Sequence, residues 1–203
     1  QRLGYPFENI VPSLGTSIGS SGDRPAALGE LVGIILNDGM RLRTHRLDEL
    51  RFAEGTPYET RMVRGASVGQ PVMAPEVAEV LREAMVDVVE QGTARRMAGA
   101  LRSADGRVLI IGGKTGTGDN RYRTFSPGGR EVESKSVNRT STFVFFIEDR
   151  FYGVVTAYVP GEAADEYDFT SALPTQILRE LAPVIEDLYN ESVGIPEGVS
   201  ADS

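Results

Sequence analysis

The 203-residue chain has no cysteine and a single histidine, His45. Without cysteine no disulfide, thiol nucleophile or cysteine-ligated zinc site can form. That absence suits a reducing and an oxidising compartment alike. No apolar run is long enough to span a bilayer, and there is no secretory signal peptide. The chain opens on Gln1 rather than Met. We expect it to be a piece of a longer product, whose targeting signals these residues would not reveal. Basic charge is also short, with 21 Lys and Arg against 29 Asp and Glu and a formal net charge of −8. This argues against a nucleic-acid binder held by a broad basic surface, and against a binder of anionic membranes. A local basic spot can still hold one carboxylate or phosphate. His45 stands among Arg43, Arg46 and Asp48 and reads as an exposed side chain, so no Ser–His–Asp site is suggested. Forty per cent of the residues are apolar, enough for one sizeable core.

Residues 1–24 read as irregular, with a loop of small residues over 13–22. Pro25 opens a helix that carries Leu28, Leu31, Val32, Ile35 and Leu36 on one face, and Asn37, Asp38 and Gly39 stop it. Residues 40–70 are polar and Arg-rich, with weak strand signals. The clearest helix covers 75–91. Val77, Val80, Leu81, Ala84, Met85, Val88 and Val89 follow helical spacing, and Gly92 stands where a residue just past the helix belongs. Its polar face carries Glu76, Glu79, Glu83, Asp87 and Glu90, which read as a solvated row. Residues 108–111 are apolar and predict a short, fully buried strand. Residues 118–138 are polar, contain Gly128 and Gly129, and read as a long mobile loop bordering a groove. Two apolar runs at 142–147 and 152–159 predict a hairpin. A last helix is expected over about 170–189, with Ile177, Leu178, Leu181, Ile185 and Leu188 inward. Pro174 fits in its first turn and Pro183 should kink it. Residues 191–203 read as a frayed tail. The order predicts an α+β fold, an antiparallel sheet with helices packed on it.

The chemistry concentrates at Lys114, Thr115, Gly116 and Thr117, which follow the apolar run and two further glycines, Gly112 and Gly113. Three readings compete. A phosphate loop needs a glycine where Val108 stands and a helix starting at the lysine, whereas Gly116, Gly118, Asp119 and Asn120 break a helix. An ordinary turn with a solvent-facing lysine is the bland alternative. The third reading is an acyl-transfer site, because Lys-Thr-Gly is one of three motifs that together mark penicillin-binding proteins and serine β-lactamases.

The flanks extend this resemblance over about residues 12–190. Gln91-Gly-Thr-Ala-Arg95, at the end of the long helix, resembles the turn that precedes the Lys-Thr-Gly strand in peptidoglycan transpeptidases. Ser13-Leu-Gly-Thr-Ser17, then a helix and Asn37-Asp-Gly39, resembles their Leu-Gly-Thr-Ser … Asn-Gly-Gly segment. The hairpin and final helix follow in the same order. The chain thus resembles the C-terminal part of a transpeptidase domain, most like that of bifunctional class A enzymes, with residues 1–190 in the domain. The resemblance implies a fold like that of penicillin-binding proteins and serine β-lactamases, lacking the helical part that bears the nucleophile.

The resemblance further implies that the chain helps cross-link stem peptides ending in D-Ala-D-Ala, binds β-lactams, uses no cofactor or metal, and works on the extracytoplasmic face of a bacterial membrane. Lys114 would attract the substrate carboxylate and set the electrostatics of the nucleophile. Thr115 and Thr117 would donate hydrogen bonds to that carboxylate. Gly116 would let the substrate backbone lie against the strand, and the Thr117 N–H would serve the oxyanion hole. The nucleophile of such enzymes lies in Ser-x-x-Lys, and no such spacing occurs in this sequence. Ser136-Val-Asn138 has the letters of the remaining motif but falls after Lys-Thr-Gly and reads as chance. Two expectations remain: an upstream half of the same protein carries the serine, or the chain is a non-catalytic interaction domain.

Overall fold

The structure, a computed structural model, describes residues 2–10, 12–17, 24–65 and 67–194. The stretch 18–23 of the anticipated small-residue loop and the tail residues 195–203 lie outside them. In chain order the elements are α1 (Leu14–Ser17), α2 (Pro25–Leu36), β1 (Met40–Arg41), β2 (Glu49–Phe52), β3 (Thr60–Val63), β4 (Gln70–Pro71), α3 (Pro75–Glu90), a 3₁₀ turn (Arg95–Met97), β5 (Ile111–Phe125), β6 (Glu131–Ile147), β7 (Phe151–Pro160), a second 3₁₀ turn (Glu162–Glu166), α4 (Ala172–Glu180) and α5 (Ala182–Gly194).

The main sheet is antiparallel with strand order β5-β6-β7. In the inner part of the sheet, before the register shift after Asn120, odd-numbered residues of its strands face one side. There Ile111, Phe143, Phe145 and Ile147 pack with Val89, Met97, Leu101, Leu109, Leu178, Ala182 and Tyr189. Even-numbered residues face the other side, where Phe146 packs with Val32, Ile35 and Met85 from α2 and α3. The α+β fold read from the sequence is thus the observed one, with helices on both faces of an antiparallel sheet.

Two glycine pairs set the packing distances. An added Cβ on Gly112 would fall inside the ring of Phe146, and one on Gly113 inside that of Phe143. On α2, a Cβ on Gly33 would meet the Tyr152 hydroxyl at 2.9 Å, and one on Gly29 would touch Val154 at 3.7 Å. The helix therefore lies directly on β7. It stops where anticipated. Asn37 donates its side-chain amide to the Gly33 carbonyl at 2.9 Å, and Asp38 and Gly39 both have positive φ, 51° and 82°.

Several expectations are corrected. Residues 118–138 are not a loop: they form the outer halves of β5 and β6, in register from Gly118↔Thr140 to Phe125↔Glu131 with shifts after Asn120 and Thr124. Only Ser126 to Arg130 turn, with Gly129 at φ 78°. This part of the hairpin extends past the core and meets water over most of both faces, with Ser136 buried beneath the second 3₁₀ turn. It therefore carries no apolar alternation, although its backbone pairs along both strands apart from the two shifts. The run 108–111 is not fully buried. Leu109 and Ile111 are inside while Val108 and Ile110 are 44% and 53% exposed, and only Ile111 belongs to β5.

On α3, Ala78, Met85 and Val89 are buried. Val77 and Val80 are exposed, and so is Ala84. The apolar periodicity identified the helix and placed Leu81, Met85, Val88 and Val89 against the core, but Val77, Val80 and Ala84 face out and Ala78 takes the inward place near the start. Gly92 does not take a left-handed φ. Its Cβ would lie 2.9 Å from the Val88 backbone, so close approach requires the glycine. The final helix is broken, ending at Glu180 and restarting at Ala182, next to Pro183. The break rotates the second segment. Leu178, Ala182 and Tyr189 point inward, Ile185 packs partly buried against the same core, and Ile177, Leu181 and Leu188 are exposed. The described residues among 1–24 are irregular except for the four-residue α1, and the weak strand signals of 40–70 become two small antiparallel pairs, β1–β4 and β2–β3.

Candidate functional site

Lys114 lies within β5, an edge strand of an antiparallel sheet, beside the β6–β7 hairpin. It is not at a helix N-terminus over a parallel sheet, and this overturns the phosphate-loop reading. Gly112 and Gly113 confirm the point from another side. They are glycines because two Phe rings lie over them, not because a phosphate does. The outer edge of β5 has no strand partner among the described residues. Its backbone polar groups are open to a ligand there.

The four sequence-designated residues alternate along this edge strand. Lys114 is exposed on the α2 side, opposite Val144. Its ammonium donates to the Thr115 carbonyl at 2.6 Å and makes no ion pair among the described residues. Thr115 faces the other side and is 8% exposed. Its hydroxyl is 2.6 Å from that of Thr93, in the turn that closes α3. Gly116 is exposed, and a Cβ there would meet nothing within 4 Å. Its carbonyl accepts the Ser141 hydroxyl at 3.4 Å. The Thr117 hydroxyl accepts the Ser171 N–H at 3.0 Å. Ser171, just before α4, is fixed through its neighbour: Arg139 on β6 donates twice to the Phe169 carbonyl, at 3.0 and 2.9 Å, and stacks over the Phe169 ring at 5.5 Å.

Thr93 and Ser171 were given no site role on the sequence. Thr93 belongs to the quoted Gln91-Gly-Thr-Ala-Arg95 stretch, which was a usable signal. Ser171 comes to β5 from 54 residues away and had none. The decoy motif separates as read. Ser136 is buried against Asp165 at 2.9 Å, and Asn138 accepts from Asn120 at 2.8 Å, so both hold the hairpin. His45 is exposed and its Nε2 is 3.0 Å from the Ser67 hydroxyl. Two clefts, of about 430 Å³ beside α2 and His45 and about 730 Å³ between α3 and the β6–β7 turn, are lined by neither Lys114, Thr115 nor Thr117. The anticipated groove along β5 is neither of these two clefts.

Electrostatics pin the outer hairpin. The Arg121 guanidinium lies 2.6 Å from Asp165 and holds its carboxyl below the usual aspartate range, with the Ser136 hydroxyl adding to the effect. Lys135 lies 2.6 Å from Glu162 and lowers that carboxyl likewise. Both acids are in the second 3₁₀ turn, so this turn braces the half of the hairpin that lacks a core.

No protein-family model matches the chain. It is 32% identical over 128 residues to penicillin-binding protein 1A of Neisseria cinerea, a match covering 62% of this chain and 15% of that relative. Among solved structures, penicillin-binding protein 1A of Haemophilus influenzae aligns with a TM-score of 0.58 at 14% identity, over 92% of this chain and 30% of that one. Penicillin-binding protein A of Mycobacterium tuberculosis, as a ceftriaxone acyl-enzyme, aligns at 0.57 and 19%, over 89% and 41%. At these identities the structural likenesses speak for the fold alone. The chain is thus similar in sequence to penicillin-binding protein 1A over part of its length and shares the fold of part of the penicillin-binding proteins. It spans a small share of the length of the curated relatives it matches. Among the described residues no helix is long and apolar enough to cross a membrane.

Proposed function

We propose that this chain supplies the Lys114–Thr117 side of the acyl-transfer site of a D,D-transpeptidase that cross-links peptidoglycan. The observation that carries the reading is an exposed lysine on an unpartnered strand edge, followed by Gly116 with open space above it and flanked by two threonine hydroxyls. A stem peptide ending in D-Ala-D-Ala would add to that edge as a further strand, its backbone pairing with β5. Its terminal carboxylate would sit in the field of Lys114. A serine from an upstream segment of the same protein, outside residues 1–190, would attack the carbonyl of the penultimate D-Ala. The terminal D-Ala would leave with the transferred proton, and the amine of a second stem peptide would then displace the serine. The Thr117 N–H would hold the oxyanion, a role worth on the order of 3 kcal/mol of transition-state stabilisation.

A β-lactam presents a carboxylate and a strained amide in the same relation and would acylate the same serine. The ceftriaxone acyl-enzyme among the structural neighbours supports that extension. The activity would be exercised on the extracytoplasmic face of the bacterial membrane, with the anchor outside this chain. The test is to incubate the full-length protein with a fluorescent penicillin and read the covalent adduct by intact mass. We expect one adduct per molecule and a large loss of labelling rate in Lys114→Ala. No adduct on a folded protein would instead favour a non-catalytic interaction domain.

A further inference from the structure

We propose that the cleft beside α2 is a second ligand site, which takes a phosphate group carried on a small organic molecule. The cleft holds about 430 Å³, within the size range of pockets that bind small molecules. Part of its wall comes from two connecting segments. Residues 42–48 join β1 to β2, and the described residues of 64–69 join β3 to β4. The pairs β1–β4 and β2–β3 fasten both segments at their two ends. At one end the Arg64 N–H donates to the Asp48 carbonyl at 3.0 Å. At the other, a Cβ on Gly69 would come within 3.0 Å of Met40 and 3.2 Å of Leu42, so the segments run close together.

The polar groups that face this cleft are mostly donors. Arg43 lines it and makes no hydrogen bond or ion pair among the described residues. His45 Nε2 lies 3.0 Å from the Ser67 hydroxyl, and Arg64 Nη1 donates to that same oxygen at 3.4 Å. The imidazole and the guanidinium therefore meet at one point of the wall. From the sheet, the Tyr152 hydroxyl stands over Gly33, whose missing Cβ leaves it room. That hydroxyl has no hydrogen-bond partner among the described residues. The two carboxylates in the lining are already matched: Glu30 lies 2.6 Å from Arg41, and Asp48 lies 3.1 Å from Arg64. Arg43 is thus the uncompensated charge of the cleft, in a chain whose net charge is −8. A carboxylate presents two oxygens in one plane, whereas a phosphate monoester presents three in space and more charge. Donors arriving from two segments and a strand suit the second shape. Ile34, 1% exposed, and Leu42 give the organic part an apolar surface.

The test follows the phosphorus resonance of phenyl phosphate mixed with the full-length protein at fixed pH and ionic strength. We expect saturable line broadening that inorganic phosphate reverses and phenol does not. Reversal at equal concentration would show that the free ion suffices, and reversal only at higher concentration that the apolar surface adds to the phosphate contacts. No reversal at any concentration would overturn phosphate recognition. Arg43→Gln should weaken binding about tenfold, the loss of one charged hydrogen-bond donor, and Tyr152→Phe should weaken it less. Arg130→Gln removes one charge from the exposed turn of the outer hairpin and should leave binding unchanged. Equal broadening in the wild type and Arg43→Gln would overturn the proposal. So would no broadening, an equal loss in Arg130→Gln, or displacement by benzoate as effective as that by phosphate. Protein already labelled by penicillin should bind the ester unchanged; loss of binding there would put the ester at the β5 edge and remove the second site.

Discussion

Gly112 on β5 lies directly opposite Phe146 on β6, and the phenyl ring occupies the space where a Cβ on Gly112 would be. The neighbouring Gly113 is paired with Phe145, and on the opposite face the ring of the diagonal Phe143 occupies the space where its Cβ would be. These rings clamp the start of β5 and set the position of Lys114 two residues on.

That clamp makes the glycines of the site separable. Gly112→Ala must push the Phe146 ring or the strand, and overpacking of this kind costs about 1–3 kcal/mol. Gly116→Ala meets open space and should leave the unfolding midpoint within about 0.5 kcal/mol. The same change should slow penicillin acylation, because the new methyl group lies where the ligand backbone would run. Urea unfolding and labelling rates on both variants check this; equal loss of stability would refute the separation.

Phe143 is fully buried under the helices of the odd-numbered face. Its truncation in Phe143→Ala should destabilise the protein by about 3–5 kcal/mol. Denaturant midpoints at unchanged m-value would show it, and a loss below about 1 kcal/mol would mean that this face of the sheet is not the main core.

The outer hairpin should loosen in acid. The folded-state carboxyls of Asp165 and Glu162 are lowered by Arg121 and Lys135. Their contribution is therefore complete above the ordinary unfolded values, about 3.9 and 4.3, and is lost as pH falls through the depressed folded values. Amide exchange of residues 121–125 and 131–136, corrected for intrinsic rate, should rise below about pH 4 while that of Phe143 and Phe145 does not. Asp165→Asn should give the same loosening at neutral pH. An unchanged profile in that variant would show that strand pairing alone holds the hairpin.

Residues 1–203 expressed alone should take no covalent penicillin label, since they contain no Ser-x-x-Lys. A longer product carrying an upstream segment should be labelled. A single stable adduct on residues 1–203, mapped by peptide mass, would place the nucleophile within them.

The sequence by itself determined the elements whose apolar periodicity faces one core: α2 with its stop at Asn37, Asp38 and Gly39, the helix starting at Pro75, the β6–β7 hairpin and the interruption near Pro183. It also determined Lys114, Thr115, Gly116 and Thr117 as a chemical unit, because their order is local. Tertiary structure alone decided the rest. Residues 118–138 became strands because cross-strand hydrogen bonds and ion pairs to the second 3₁₀ turn hold them, and such pairing leaves no periodic trace when both faces meet water. The inward faces of α3 and α5 were decided by which side of each helix packs against the sheet and its neighbouring helices. Thr115 is turned inward and Thr93 outward only because the end of α3 closes against β5, bringing together two hydroxyls 22 residues apart. A contact of that kind depends on packing between elements, and neighbouring residues in the chain carry no sign of it.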